Sequence, residues 1–339
     1  VAATGVVAAV VAAVVLPVPY VILSPGPTLN TLGTGPGGRP LIQISGHPTY
    51  PATGHLNLVT VSFQGGPSDS FNIFAALRAW LTPHEAVVPQ EELFGPGQTQ
   101  QQVVRQDTQQ MASSQQTATA AALCVLGIAF KTVDTVVTVE RGLPAYGVLH
   151  THDVITAVDG KPVSCHQDAA PLIRARAPGA PVTITVQRTV GGRRVTRQIR
   201  LKTANSGGRA VVGVAVSQSY VFPFNVNIRV GDIGGPSAGL MFALGIVDKL
   251  TPVNLTRGRF IAGTGEISAD GTVSPIGGIQ QKMVGAREAG ATIFLTPAAN
   301  CPDTTGSVPA GMRLVKVSTL SDAVRDLKAL TAGRNVPSC

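Results

Sequence analysis

An α/β (or α+β) block at the C-terminal end, a small β-rich module before it and an N-terminal transmembrane helix are the architecture this sequence predicts. Three observations carry it. Val1 to Leu23 is almost wholly apolar, and no charged side chain precedes Arg39. From Gly127 to about Thr203 short alternating runs are separated by turn residues, the pattern of paired strands. From Val211 to about Leu330 strand-like and helix-like stretches alternate, which packs helices on a sheet.

As a helix, residues 1–23 would extend about 34 Å, enough to cross a bilayer. Pro17 and Pro19 fall near its exit, where a helix end tolerates them, and Tyr20 suits the interface. A cleaved signal peptide is the rival reading, but no small-x-small site follows the apolar run, so a retained anchor is expected. The four cysteines, Cys124, Cys165, Cys301 and Cys339, make no metal spacing. In an oxidising compartment they would pair, in an order the spacing leaves open, although Cys124 in an Ala/Leu helix also reads as a small buried hydrophobe. The net charge is +8, but only Arg193-Arg194 are clustered. The excess is therefore a generally basic surface, and no nucleic-acid partner is expected.

After the anchor, residues 24–54 contain a Pro/Gly-rich linker to Pro40 and the start of the ectodomain. His55–Phe63 alternates, so it is a strand, and Gly65-Gly66 ends it. Ser70–Leu81 and Gln98–Leu126 read as helices, the second with a Gln-rich, exposed or mobile start. Residues 55–126 thus form a strand plus a helical region, with the strand a candidate member of the C-terminal fold and the intervening segment an insertion. Within 127–204, Asp153–Val158 is a strand closed by Asp159-Gly160, a short helix covers Ala169–Ala177, and Val182–Arg188 and Val195–Leu201 pair across Gly191-Gly192. Ala204–Arg209 reads as a linker, 210–330 as the C-terminal domain and 331–339 as a tail. The stretch Gly142-Leu143-Pro144-Ala145, followed by Asp153 to Val163 and by Pro178-Gly179, resembles a bacterial PDZ domain, with His152-Asp153 where Gly-Asp is usual. The resemblance implies capture of an extended peptide at a sheet edge; a packing module that binds nothing is the plainer alternative.

The chemistry lies in the last domain. Phe224–Val230 alternates, Gly231 to Gly235 holds three glycines, Pro236 is placed as a first-turn proline, and Ser237 precedes the apolar run Ala238–Val247. Free N–H groups at that helix start would hold an oxyanion beside the serine. Lys282 follows 45 residues later. Helical spacing gives it Ile279, Ala286 and Ala289 as neighbours. A desolvated lysine in a first turn loses its proton readily and can serve as a base. The plainer reading is a lysine whose stem packs while its head reaches water. Gly235-Pro236-Ser237-Ala238-Gly239 also fits G-x-S-x-G, but that fold needs a histidine after the serine, and all six precede it. His150, His152 and His166 are read as loop residues, and neither metal nor cofactor is expected.

Three motifs in order resemble the Lon proteolytic domain: Gly234-Gly235-Pro236-Ser237-Ala238-Gly239, Gly263-Thr264-Gly265-Glu266-Ile267, and Pro275-Ile276-Gly277-Gly278-Ile279-Gln280-Gln281-Lys282. The resemblance implies Ser237 as nucleophile, Lys282 as general base and then acid, Thr264 as its orienting partner, and Gly234, Gly235, Pro236 and Ala238 as the serine and oxyanion loop. Many members carry an acid where Gly234 stands, so a more open loop is expected. No G-x-x-x-x-G-K-[ST] occurs in the chain. The whole is similar to membrane-anchored PDZ–Lon-like serine proteases of Gram-positive and actinobacterial cells. That resemblance implies an ATP-independent endopeptidase outside the cytoplasm, single-pass at the cell membrane. Its partners would be unfolded, membrane or secreted protein substrates, a peptide ligand of the PDZ-like module, and copies of itself in a ring. The alternative is a non-catalytic PDZ scaffold at the membrane.

Overall fold

The computed structural model describes residues 16–67 and 69–339. The expected anchor lies, for residues 1–15, outside the described residues. Among those described, no helix is long and apolar enough to cross a membrane. The chain divides into two compact units, one formed by residues up to Ala122 and from Val226 onward, the other by Leu123–Asn225.

In the first unit, β1 (Tyr20–Asn30) occupies the region expected to end the anchor and begin a linker. Val21 and Ile22 are buried, and the prolines that suggested a linker fall where the register shifts between Pro25 and Thr28. An interrupted ladder needs no donor there. A short strand β2 (Ile42–Ser45), the predicted strand β3 (His55–Gln64), helix α1 (Ile73–Leu81) and the unforeseen strand β4 (Ala86–Pro89) follow. Asn72 caps α1 by accepting from the Ala75 N–H. Helix α2 (Gln100–Val125) starts with Gln101 and Gln102 exposed, but Val103 and Met111 are buried, so one face packs from the start.

The second unit holds β5 (Lys131–Val139), β6 (Val154–Val158), α3 (Ala169–Arg174), β7 (Pro181–Val190), β8 (Arg193–Lys202), the hairpin β9 (Ala204–Ser206) and β10 (Arg209–Val211), and β11 (Val214–Val221). Its main sheet runs β11-β5-β6-β7-β8. Two expectations are corrected. The supposed linker at 204–209 is the β9–β10 hairpin, and β11, assigned from sequence to the C-terminal domain, pairs with β5. Alternation in Val214–Val221 reports a half-buried strand but not which sheet receives it. Asp153, almost fully buried, accepts two hydrogen bonds of 2.7 Å from the Arg188 guanidinium, tying β6 to β7. Cys124 and Cys165 form a disulfide in this unit.

The chain then re-enters the first unit with β12 (Asn225–Ile228), α4 (Gly239–Leu250), β13 (Phe260–Gly263), β14 (Glu266–Ile267), β15 (Val273–Ser274), α5 (Ile279–Glu288), β16 (Ile293–Pro297), β17 (Arg313–Val317) and α6 (Leu320–Thr331). Its sheet runs β17-β16-β13-β3-β1-β4 among the described residues, so His55–Gln64 is an inner strand, parallel to β13. Ala262 packs with Ile279, Met283 and Ala286 of α5, whereas a Cβ at Gly263 would meet Met241 of α4. Successive strand residues face opposite ways, so α4 and α5 cover opposite faces of the sheet. The expected tail is held down: Cys339 bonds Cys301, and the Lys316 N–H donates to Pro337.

Candidate active site

The site lies where β13 stops. Its pairing with β3 ends at Gly263 opposite Leu58, while β3 runs on to Gln64. Beyond that point a cleft of about 770 Å³ opens along Val59–Phe63, and Ser237, Lys282, Phe94, Val103 and Asp107 also line it.

Lys282 is 4% exposed. Its Nζ stands 3.0 Å from Ser237 Oγ and 3.3 Å from Thr264 Oγ1. None of the described ion pairs involves it. Burial, with no carboxylate to offset it, lowers its pKa to about 8. Of the neighbours expected from helical spacing, Ile279 and Ala286 are buried with it, whereas Ala289 ends the helix and is exposed. Thr264 is fully buried. Its hydroxyl donates to the Ser237 carbonyl (3.0 Å) and accepts from Lys282. The Gly265 N–H donates to that same carbonyl at 2.8 Å, and the Leu240 N–H donates back to Gly265. The break between β13 and β14 therefore clamps the serine turn.

Two expectations about the serine loop change. Pro236 and Ser237 lie in a turn ahead of the helix, which starts at Gly239 with Ala238 as its cap residue. The first N–H groups of the helix are already engaged, Gly239 with Pro236, Leu240 with Gly265 and Met241 with Ala238. The N–H groups of Ser237 and Ala238 find no acceptor among the described residues and are the donors left beside the serine. Gly235 has φ +83°, a left-handed conformation that favours glycine.

Sequence reasoning missed the contribution of α2. Its Ser114 hydroxyl donates to the Pro236 carbonyl at 3.0 Å, and its Asp107 carbonyl accepts from the Gly235 N–H at 3.2 Å. A Cβ at Gly234 would stand 2.6 Å from that of Asp107. The loop is thus not opened by the missing side chain at 234, because Asp107 fills that space, and burial raises the pKa of its carboxyl. A partner 127 positions away in sequence leaves no local signal. Gly234→Ala is expected to push the loop off α2 and cut turnover about 100-fold, the scale of a misplacement near 1 Å. A melting temperature that moves little, and recovery in Gly234→Ala/Asp107→Gly, would check this.

Among the described residues Cys124, Cys165 and His166 approach within 4.8 Å. The two sulfurs are bonded to each other, so they offer no thiolates to a metal. His150 and His152 do not join them.

Comparison with known proteins agrees with the motifs. Residues 227–329 match the Lon protease (S16) C-terminal proteolytic domain and residues 124–201 match the PDZ domain. The chain is 38% identical over 113 residues to a Lon protease of Paraburkholderia phytofirmans, covering 30% of this chain and 13% of that protein. It is 41% identical over 95 residues to Lon protease 1 of Sorangium cellulosum, covering 26% and 11%. It therefore spans about an eighth of the length of these relatives. A crystal structure of the PDZ domain of an SdrC-like protein from Listeria innocua aligns at 27% identity over 25% of this chain and 92% of that one, with a TM-score of 0.22. The chain carries a proteolytic domain of the Lon serine-peptidase family together with a PDZ domain.

Proposed function

We propose that this protein is an ATP-independent, membrane-anchored serine endopeptidase working through a Ser237–Lys282 dyad. The observation that carries the proposal is a lysine amine 3.0 Å from a serine hydroxyl, almost wholly buried and with its pKa lowered to about 8. Neutral Lys282 takes the Ser237 proton as Oγ attacks the substrate carbonyl. The oxyanion is held by the N–H groups of Ser237 and Ala238. The Lys282 ammonium then protonates the departing amine, leaving an acyl-serine. Water, deprotonated by Lys282, releases the acid and restores Ser237. Thr264 orients Nζ throughout. None of these steps uses a nucleotide, and an extended chain laid along Val59–Phe63 is the substrate form the open cleft suits. Without a motor in the reaction, substrates are unfolded segments or proteins delivered by the PDZ domain.

For that delivery the second unit offers a hollow of about 270 Å³ lined by Leu143, Ile155, Ile173, Arg174, Val214 and Val216. β11 beside it is an edge strand, suited to pairing with an extended peptide. Residues 1–15 are uncharged and mostly apolar, which supports anchoring and a catalytic domain outside the cytoplasm. Both disulfides agree with that side of the membrane. Ring assembly rests on the family resemblance and is checked by sedimentation in detergent.

The test is casein cleavage by the full chain without ATP, beside fluorophosphonate labelling of Ser237. Cleavage and labelling are expected in the parent, and neither in Ser237→Ala. Undiminished cleavage by Ser237→Ala would sink the assignment, and a folded chain that neither cleaves nor labels would favour the scaffold.

A further inference from the structure

Helix α1 is built inside out. Its buried face consists of Ala76 and Ala79, while Ile73, Phe74, Leu77, Trp80 and Leu81 are 41, 49, 50, 72 and 71% exposed. At 100° per residue these five fall within an arc of about 120° with no charged side chain among them. Arg78, also exposed, lies at its border. Isolated apolar residues on a surface are ordinary, but five large ones within a nine-residue helix make a contiguous patch that marks an interaction face.

The chain's own course identifies what covers it. The Val18 N–H donates to the Phe71 carbonyl just before α1. Val18 packs with Ile22, Phe71, Ala76 and Ala79, the residues beneath the helix. Leu16, two residues earlier, is 60% exposed. The uncharged stretch Val1–Val15 therefore joins the fold at the foot of α1. If that stretch sits in a bilayer, as the anchoring proposal holds, α1 meets the lipid surface within a few residues of the entry point. A tryptophan among leucines and phenylalanine, with an arginine at the rim, suits the boundary between acyl chains and head groups.

We infer that the outward face of α1 is a lipid-contacting face, seated in the membrane interface beside the anchor. The inference rests on the anchoring proposal and on no feature of the active site. A short helix of this kind gives a weak contact by itself, and its effect would be to hold the first unit against the bilayer instead of letting it swing on the anchor.

Trp80 is the only tryptophan in the chain, so its fluorescence reads this face alone. The full chain is reconstituted into vesicles of phosphatidylcholine and phosphatidylglycerol with brominated or plain acyl chains, and vesicle association is scored by flotation. A blue-shifted emission quenched by brominated lipid and shielded from acrylamide is the expected result. Floating protein whose Trp80 stays open to acrylamide overturns the inference while leaving the anchor intact. Protein that does not float overturns both. Shielding without lipid also overturns it: concentration-dependent shielding assigns the face to a second copy, and concentration-independent shielding to residues 1–15. Phe74→Ser/Leu77→Ser, which keeps the reporter, should abolish the blue shift and leave flotation unchanged.

Discussion

Ser237→Ala and Lys282→Ala are each expected to lower kcat/KM on an unfolded substrate by about four to six orders of magnitude, with the double variant no worse than either single one. In the proposed mechanism the two groups act as a unit in a single proton transfer, and such effects do not add. Lys282→Arg should not restore activity, because a guanidinium stays charged and cannot accept the serine proton. Thr264→Val removes one hydrogen bond to Lys282 and one to the Ser237 carbonyl. Its expected loss is about 10- to 100-fold, the scale of a hydrogen bond to a charged group. Steady-state rates with the five variants separate these cases. Equal losses for Thr264→Val and Ser237→Ala would move Thr264 from positioning into the proton transfer itself.

The pH profile carries the second large effect. As the proposed base Lys282 must be neutral, and burial lowers its pKa from 10.5 to about 8. Log kcat/KM should therefore rise with unit slope up to about pH 8 and then level off, leaving the rate at pH 6 about 100-fold below the plateau. Stability runs the same way. The folded chain binds this proton less tightly than the unfolded one, so Lys282 costs nothing when neutral in both states above pH 10.5. The cost grows as pH falls towards 8 and is constant below it, at most about 3 kcal/mol. Lys282→Met should abolish activity yet raise the unfolding free energy at pH 7 by about 1–3 kcal/mol, with a smaller gain near pH 10. Denaturant melts at the two pH values check this. A Met variant less stable than the parent at pH 7 would mean that Lys282 is held charged by a partner, contrary to the base role.

The sequence by itself determined which groups are proposed to react. A serine after a glycine loop and a lysine on an apolar helical face are local patterns, and both survive in the fold because burial of a helix face follows from its periodicity. The PDZ and proteolytic segments were legible through motifs that resemble those families, Gly142–Ala145 with Asp153–Val163 in one and Gly234–Gly239, Gly263–Ile267 and Pro275–Lys282 in the other. Only the tertiary structure decided which strand joins which sheet, and whether proline-rich text is linker or ladder. Residues 24–30 became β1 because a bulge absorbs Pro25 and Pro27, and Val214–Val221 pairs with β5 and not with the domain that follows it. The packing of α2 on the serine loop, which fills the space left by Gly234, was likewise beyond the sequence. Contacts between residues far apart in the chain depend on the closure of the whole sheet, which no window of local periodicity contains.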